Sequence, residues 1–263
     1  MVLSLEEKKH KPPRILIYGA QGRGKSTFGA LSHKPVFIQT EDGLAGIDVP
    51  RFPLAKSYDA VCEQLKEIAT LDHGYSTLVI DSIDWLEPLI WDKVCKQYGV
   101  DSIEKVEKGY GKGYVAALNV WRDYVAKLNY IRDVKNMTII QVAHARIVRF
   151  ENPETEPYDR YEIKLHKSAS SLMMEHSDMV LFATDRVNIV KDDDNTKEGR
   201  ARARSSDRVI YTTERPTALA KNRYGLPPEI PFDKEGRYWN VIASHIPFFK
   251  QVAQTKTGET KNE

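Results

Sequence analysis

The sequence contains little cysteine and no long apolar run. Cys62 and Cys95 are the two cysteines in 263 residues, and neither stands in a Cys-x-x-Cys or Cys/His spacing. The two cysteines therefore indicate neither a disulfide framework nor a zinc site. No apolar stretch approaches the roughly 20 residues that span a bilayer, and residues 6–11 are charged, unlike a secretory signal. We therefore expect a cytoplasmic protein with no membrane partner.

An excess of charge of one sign is also absent. Lys and Arg total 39 against 37 Asp and Glu, which gives a net charge of +2. Global charge therefore does not indicate nucleic-acid binding, and any basic surface must be local. The hydrophobic fraction of 41% is ordinary for a globular protein with a core of its own.

The most specific motif is residues 19–26, which fit the pattern G-x-x-x-x-G-K-[ST] and follow an apolar run at 15–18. Glycines let the backbone wrap closely around phosphates, so that amide groups and a helix N-terminus face the negative charge. Lys25 is predicted to neutralise the β- and γ-phosphates, and Ser26 to ligate Mg²⁺. The motif predicts ATP and Mg²⁺ as cofactors. The predicted nucleotide-binding residues are Gly19, Ala20, Gln21, Gly22, Arg23, Gly24, Lys25, Ser26 and Thr27.

Strand-like and helix-like segments alternate along the chain, which predicts an α/β fold with a mainly parallel sheet. Ser57 is a predicted N-cap for a helix over 57–70. Residues 191–207 are dense in charge and are interpreted as a mobile hairpin or insertion. The predicted strands are 15–18, 35–40, 78–81, 137–143, 178–183 and 208–212.

A second nucleotide motif is predicted where the apolar strand 78–81 ends in Asp81. In P-loop enzymes a carboxylate at this place holds Mg²⁺ through its coordination shell. Asp84 is close enough in sequence to be an alternative, although it also fits the start of the next helix.

Hydrolysis further needs a carboxylate that orients the attacking water. Glu41 follows the second strand, where the carboxyl edge of a parallel sheet faces the phosphates, and we predict that it is this base. Asp42 is its neighbour and competes for the role. His144 ends the strand after the helix that contains Trp121, and we predict that it senses the γ-phosphate.

The order of these motifs resembles the RecA-like ATPase core over residues 14–223, and most resembles short phage-encoded ATPases, some of them single-strand annealing or recombination proteins. The resemblance implies a RecA-like P-loop core at 14–250, with an antiparallel C-terminal extension of the sheet. It also implies that Lys221 and Arg223 reach a neighbouring subunit's γ-phosphate, hence a homo-oligomer. The terminal residues are predicted to form a flexible segment at 1–13 and a disordered tail at 251–263. We identify neither a subunit-linking segment nor an accessory DNA-binding domain. For a phage-encoded protein the location would be the host cytoplasm.

Two segments are candidates for binding single-stranded DNA, because they interleave cations with aromatic rings. In the RecA arrangement both would face the central axis. The first segment is 105–114 and the second 144–167. The candidate residues are Lys108, Tyr110, Lys112, Tyr114, Arg146 and Arg149.

These features predict a Mg-ATP hydrolase that acts on single-stranded DNA in phage-type recombination, annealing or replication. One alternative is a nucleotide switch or loader that does not turn over and recruits a single-strand binding or replication protein. A small-molecule kinase is a further alternative, for which Arg200, Arg202 and Arg204 would imitate an arginine-rich lid.

Overall fold

The computed structural model describes residues 9–191 and 201–251, with the backbone alone described between 187 and 206. Its strands are β1 (Arg14–Gly19), β2 (Pro35–Gln39), β3 (Thr77–Asp81), β4 (Thr138–Phe150), β5 (Tyr158–Ile163), β6 (Met179–Lys191), β7 (Ala201–Tyr211), β8 (Lys221–Asn222) and β9 (Glu229–Pro231). Its α-helices are α1 (Lys25–Ala30), α2 (Tyr58–Thr70), α3 (Ile83–Tyr98), α4 (Lys112–Val134), α5 (Lys167–His176) and α6 (Tyr238–His245).

The strands form one 9-stranded sheet with the path β2-β3-β4-β1-β6-β7-β9. From β2 to β6 all neighbouring strands are parallel. Gly19 at the end of β1 is level with His144 on β4, and Asp81 at the end of β3 is level with Val142. The polar residues that follow these strands therefore meet at one side of the sheet, which we call the carboxyl edge.

The C-terminal part of the sheet is antiparallel, as the sequence predicted. Strand β7 pairs with β6 and with β9, and β8 pairs with the start of β6. The pairing of β6 with β7 continues to Lys191 opposite Ala201. The predicted insertion thus begins and ends in paired strands, and its remaining residues, 192–200, lie outside the described residues. Parts of the other two segments predicted to be flexible, 1–8 and 252–263, lie outside as well.

Side chains on the central strands alternate between two hydrophobic cores, because successive residues of a strand point to opposite faces. Leu16 and Tyr18 of β1 join the core beneath α2, α3, α4 and α5. Ile15 and Ile17 join the core beneath α1 and α6. Burial on both faces explains why these strands are continuous apolar runs in the sequence.

Strand β4 is longer than predicted. The sequence places its end at 143, whereas it continues to Phe150 and pairs there with β5, from Ala145 opposite Ile163 to Phe150 opposite Tyr158. Beyond His144 its side chains are mostly exposed or half-buried, so the apolar run that identified the strand stops where the hairpin begins. The proposed second DNA loop is therefore largely a β-hairpin. Among the helices that the structure describes, none is long and apolar enough to cross a membrane.

Candidate active site

The phosphate loop connects β1 to α1, and two of its glycines occupy positions where a side chain would cause strain or a clash. Gly24 caps α1 with a φ of 85°, in the left-handed region that favours glycine. A Cβ atom on Gly19 would lie 2.2 Å from the carbonyl oxygen of Ala183 on β6. The first glycine is therefore needed for strand packing, and the later one for the turn into the helix.

Lys25 is the first residue of α1, and it is almost completely buried at 5% exposure. Its Nζ donates a hydrogen bond to the carbonyl oxygen of Ala20, 2.9 Å away within the same loop. Burial lowers the pKa of Lys25, while the nearby carboxylates of Asp81, Asp84 and Glu41 act in the opposite direction. The loop thus holds a desolvated ammonium group at its centre, where an anion gains most from it.

A cleft of about 320 Å³ opens above this loop at the carboxyl edge of the sheet. It is lined by residues 21–27 and by Glu41, Asp81, His144 and Arg208. The structure therefore brings the predicted base, metal-side acid and sensor to one place, although they are far apart in sequence.

Ser26 and Asp81 form the part of the cleft that fits a magnesium ion. Burial raises the pKa of Asp81, and the nearby Ser26 hydroxyl acts in the opposite direction. In the described part of the chain no group of three or more His, Cys, Asp or Glu side chains could hold a metal by itself. A hydroxyl and one carboxylate suit Mg²⁺, which keeps several waters and takes its other ligands from phosphates.

Glu41 rather than Asp42 lines the cleft. The Oε2 atom of Glu41 accepts a weak hydrogen bond from the Ser82 hydroxyl at 3.4 Å, and Asp42 is exposed. Thr40 fixes the preceding backbone, since its buried hydroxyl donates to the Ser82 carbonyl at 2.6 Å and accepts from the Ser82 amide. The geometry favours Glu41 as the carboxylate that could face an attacking water.

His144 is held by Asp84, the alternative metal-side acid. Asp84 accepts hydrogen bonds from the His144 backbone amide at 3.0 Å and from its Nδ1 at 2.9 Å. Burial would raise the pKa of Asp84, but these bonds from His144 bring it below its ordinary value. The same Nδ1 lies 3.9 Å from Oε2 of Glu41. Asp84 therefore orients His144 beside Glu41, and Asp81 is the acid beside Ser26.

Lys221 and Arg223 lie at the opposite side of the sheet, which we call the amino edge, because β8 pairs with the first residues of β6. Lys221 Nζ donates to the carbonyls of Met174, Glu175 and Ser177, at the end of α5. Arg223 donates to Asp178 at 3.2 Å and is half exposed. Neither reaches the cleft of its own subunit, so their action in a neighbouring subunit stays a prediction.

In segment 105–114, the first candidate for binding DNA, some of the predicted side chains are exposed to solvent and others are packed against the protein. Tyr110 is fully exposed, and its φ is 56°, within a run of positive φ values from Glu107 to Gly111. Tyr114 instead stacks on His166, with ring centroids 4.2 Å apart, and contacts Trp91 edge to face. One face of Tyr114 is thus covered by the protein, and Tyr110 is the ring in this segment that is open to a base. Lys112 lies 3.5 Å from Glu107, and Lys108 is exposed.

In the β4–β5 hairpin, Arg146 and Arg149 lie opposite acids. Arg146 is level with Glu162 and Arg149 with Asp159, where an exposed ion pair of 3.4 Å forms. Ile147 between them is 63% exposed. Asp159 therefore partly compensates the charge of Arg149, whereas Glu162 opposite Arg146 forms its ion pair with Arg160 of β5.

Arg208 on β7 lines the cleft and was missed by sequence reasoning, as was Asp185 on β6, which pairs with Arg23 at 2.5 Å. The pairing of β6 with β1 brings Asp185 to the loop, and the pairing of β7 with β6 brings Arg208 there. Of the arginines suggested for a kinase lid, Arg200 lies outside the described residues, and Arg202 and Arg204 are described by backbone alone.

The phosphate loop, the strand whose terminal Asp81 lines the same cleft, and the parallel sheet define a RecA-like P-loop fold of the nucleotide-binding ATPase class. The chain belongs to the AAA_24 family, described as an AAA domain, whose model matches residues 11–224. This confirms the predicted RecA-like P-loop core.

A prophage relative also resembles the chain. The SPbeta prophage-derived uncharacterized protein YorG of Bacillus subtilis strain 168 is 27% identical over 172 residues, which are 64% of this chain and 49% of the relative. The chain thus matches about half the length of that protein. That relative is prophage-derived, in line with the predicted resemblance of this chain to phage-encoded ATPases.

Two solved structures are similar in fold. The RadB recombinase matches with a TM-score of 0.46 and 13% identity, covering 86% of this chain and 90% of that one. The flagellar accessory protein FlaH from Methanocaldococcus jannaschii matches with a TM-score of 0.42 and 12% identity, covering 85% of each chain.

Proposed function

We propose that this protein binds Mg-ATP, hydrolyses it, and acts as a homo-oligomer on single-stranded DNA in phage-type recombination, annealing or replication. The observation that carries the hydrolysis is the meeting of Lys25, Asp81 and Glu41 in one cleft at the carboxyl edge. A P-loop that only bound nucleotide would not need a carboxylate placed to orient water.

Bound Mg-ATP would supply a γ-phosphate open to in-line attack by water. The other roles in hydrolysis would be taken by residues of the chain. Lys25 offers positive charge to the phosphates, and Ser26 and Asp81 hold the metal side. Glu41 orients the water and accepts its proton, while His144, fixed by Asp84, lies close enough to Glu41 to register whether the site is filled.

The DNA part of the proposal is supported by exposed side chains rather than by a closed site. Tyr110 offers an unpacked ring next to the exposed Lys108, and Arg149 with Ile147 offers charge and apolar surface on the hairpin. Phosphates need cations and unstacked bases need flat apolar faces, which is the combination that binds single strands.

The test is phosphate release by the purified protein with magnesium, alone and with single-stranded DNA, duplex DNA or RNA. We expect turnover that single-stranded DNA increases, and Glu41→Gln should lower it by about 100-fold or more while Mg-ATP binding persists. Asp42→Asn is the matched control and should keep nearly full activity. If the protein binds Mg-ATP but shows no turnover under all of these conditions, the result would favour the nucleotide switch instead.

The oligomer has its own test, because a cation that acts between subunits can be complemented. Arg223→Ala leaves the phosphate loop intact, and Lys25→Ala leaves Arg223 intact. A mixture of the two inactive proteins should recover part of the activity. If the mixture stays inactive although light scattering shows that the variants assemble together, Arg223 does not act on a neighbour's nucleotide.

A further inference from the structure

Arg208 reaches the phosphate loop from a distant part of the chain. It lies on β7, opposite Asp185 of β6, and lines the cleft that Lys25 and Asp81 also line. A Cβ atom built on Gly24 would be 3.5 Å from the Nη1 atom of Arg208. The guanidinium group therefore borders the glycine that leads directly into Lys25.

Among the side chains that the structure describes, Arg208 has no ion-pair partner. Asp185, the acid across from it, forms its ion pair with Arg23 at 2.5 Å. Within the described residues no carboxylate lies within salt-bridge distance of the Arg208 guanidinium. Asp81 and Glu41 also border the cleft, so Arg208 adds a cation to a site that already contains acids for metal and water.

The backbone of Arg208 is anchored although the residue is exposed. Its carbonyl oxygen accepts a hydrogen bond from the Phe232 amide at 2.8 Å. The Phe232 ring packs against Phe28 of α1, with centroids 6.3 Å apart, and against Tyr238, with centroids 4.9 Å apart. Because α1 continues from the phosphate loop, this packing fixes the position of β7 relative to the loop.

We propose that Arg208 contacts the phosphate chain of the nucleotide bound in its own subunit, as a second cation beside Lys25. The proposal rests on the proposed Mg-ATP binding and adds a residue to it. A guanidinium group donates planar pairs of N–H groups that match phosphate oxygens, and it stays charged when partly desolvated. Its position beside Gly24 directs it to the phosphates rather than to the base.

The experiment compares Arg208→Ala, Arg208→Lys and the unaltered protein by calorimetric titration with Mg-ATP, Mg-ADP and magnesium tripolyphosphate. Arg208→Ala should weaken Mg-ATP and tripolyphosphate alike by about 10- to 100-fold, the loss expected for a charge-assisted hydrogen bond. Arg208→Lys should recover part of that loss. Arg122→Ala is the control, because Arg122 is an exposed arginine on α4 that contacts Asn119, and its affinities should be unchanged.

The outcomes separate this inference from the proposed function. No nucleotide binding by the unaltered protein would refute the proposed function itself. Normal binding by that protein together with equal affinities in Arg208→Ala would overturn the role of Arg208 alone. A loss for Mg-ATP with unchanged tripolyphosphate binding would also overturn it, because the contact would then be with the base or ribose. Thermal unfolding by circular dichroism checks that each variant is folded, and Arg208→Lys provides the comparison if the alanine variant is not.

Discussion

Charged side chains collect at both edges of the parallel sheet, but the two edges differ in the partners that the protein provides for these charges. At the amino edge Asp178 accepts hydrogen bonds from the Arg14 backbone at 3.0 Å, from the Arg14 guanidinium at 2.8 Å and from Arg223 at 3.2 Å. At the carboxyl edge Lys25 donates to a loop carbonyl, and Arg208 has no carboxylate partner among the residues described.

The difference distinguishes charges that stabilise the fold from charges available to a ligand bound in the same subunit. A buried charge costs free energy unless it is paired, and at the amino edge the protein provides the partners itself. At the carboxyl edge burial shifts the pKa of Lys25 down and that of Asp81 up, each toward its neutral form. A Mg-triphosphate would supply the missing opposite charges there, and the following predictions test that contrast.

The largest effect on stability is expected from Asp178→Ala at the amino edge. Arg14 and Arg223 would lose their acceptor in a partly buried site, so the free energy of unfolding should fall by about 2–4 kcal/mol. Urea unfolding measures the loss, and Mg-ATP affinity of the folded variant should stay within about twofold of the unaltered protein. Asp159→Ala removes an exposed ion pair with Arg149 and should cost less than about 0.5 kcal/mol. Equal losses in the two variants would contradict the contrast between the edges.

At the carboxyl edge, Lys25→Met should have the reverse pattern. It keeps much of the buried aliphatic stem and removes the ammonium group, so Mg-ATP affinity should fall by about 100-fold. The free energy of unfolding should change by no more than about 1 kcal/mol, because the lost charge was itself costly to bury. Titration calorimetry and urea unfolding measure the two quantities. Unchanged affinity would show that the loop does not hold the phosphates.

Asp81→Asn tests the metal side of the same cleft. The phosphate loop remains, so nucleotide binding without magnesium should change little, while the magnesium concentration needed for half-maximal turnover should rise by about tenfold. A magnesium titration of phosphate release measures this shift. Asp84→Asn should disturb turnover without that shift in magnesium dependence, because Asp84 holds His144. A shift confined to Asp84→Asn would exchange the two assignments.

The smallest effect concerns Glu87 on α3, a buried acid that accepts bonds from the His166 backbone amide at 2.9 and 3.0 Å. Burial raises its pKa from 4.5 to about 7, although the His166 amide acts in the opposite direction. The folded state therefore retains a proton that the unfolded state releases, and this contribution to stability is lost as pH rises from 4.5 through about 7.

Unfolding measurements between pH 5 and pH 8 should show this dependence, on the order of 1–2 kcal/mol. Glu87→Gln should flatten it, because an amide keeps a carbonyl acceptor without titrating. If the variant and the unaltered protein have parallel stability profiles, Glu87 is not the group responsible.

Local signals in the sequence predicted what depends on neighbouring residues. The apolar run before the phosphate loop became β1, and Ser57 caps α2, where its hydroxyl accepts from the Ala60 amide at 3.1 Å. The same reasoning failed at β4, whose second half is a hairpin arm with an exposed surface. Apolar periodicity in a sequence indicates burial. The second half of β4 pairs with β5 outside the core and buries few side chains, so it lacks that periodicity.

The sequence by itself determined the phosphate loop, the acid-ending strand and the α/β class, because glycine placement, burial and strand–helix alternation are written in consecutive residues. Only the tertiary structure decided that Glu41 rather than Asp42 faces the cleft, that Asp84 holds His144, and that Tyr114 stacks on His166. It alone brought Arg208 to the loop. These relations depend on strand order and register, which join residues far apart in the chain and leave no periodic signal along it.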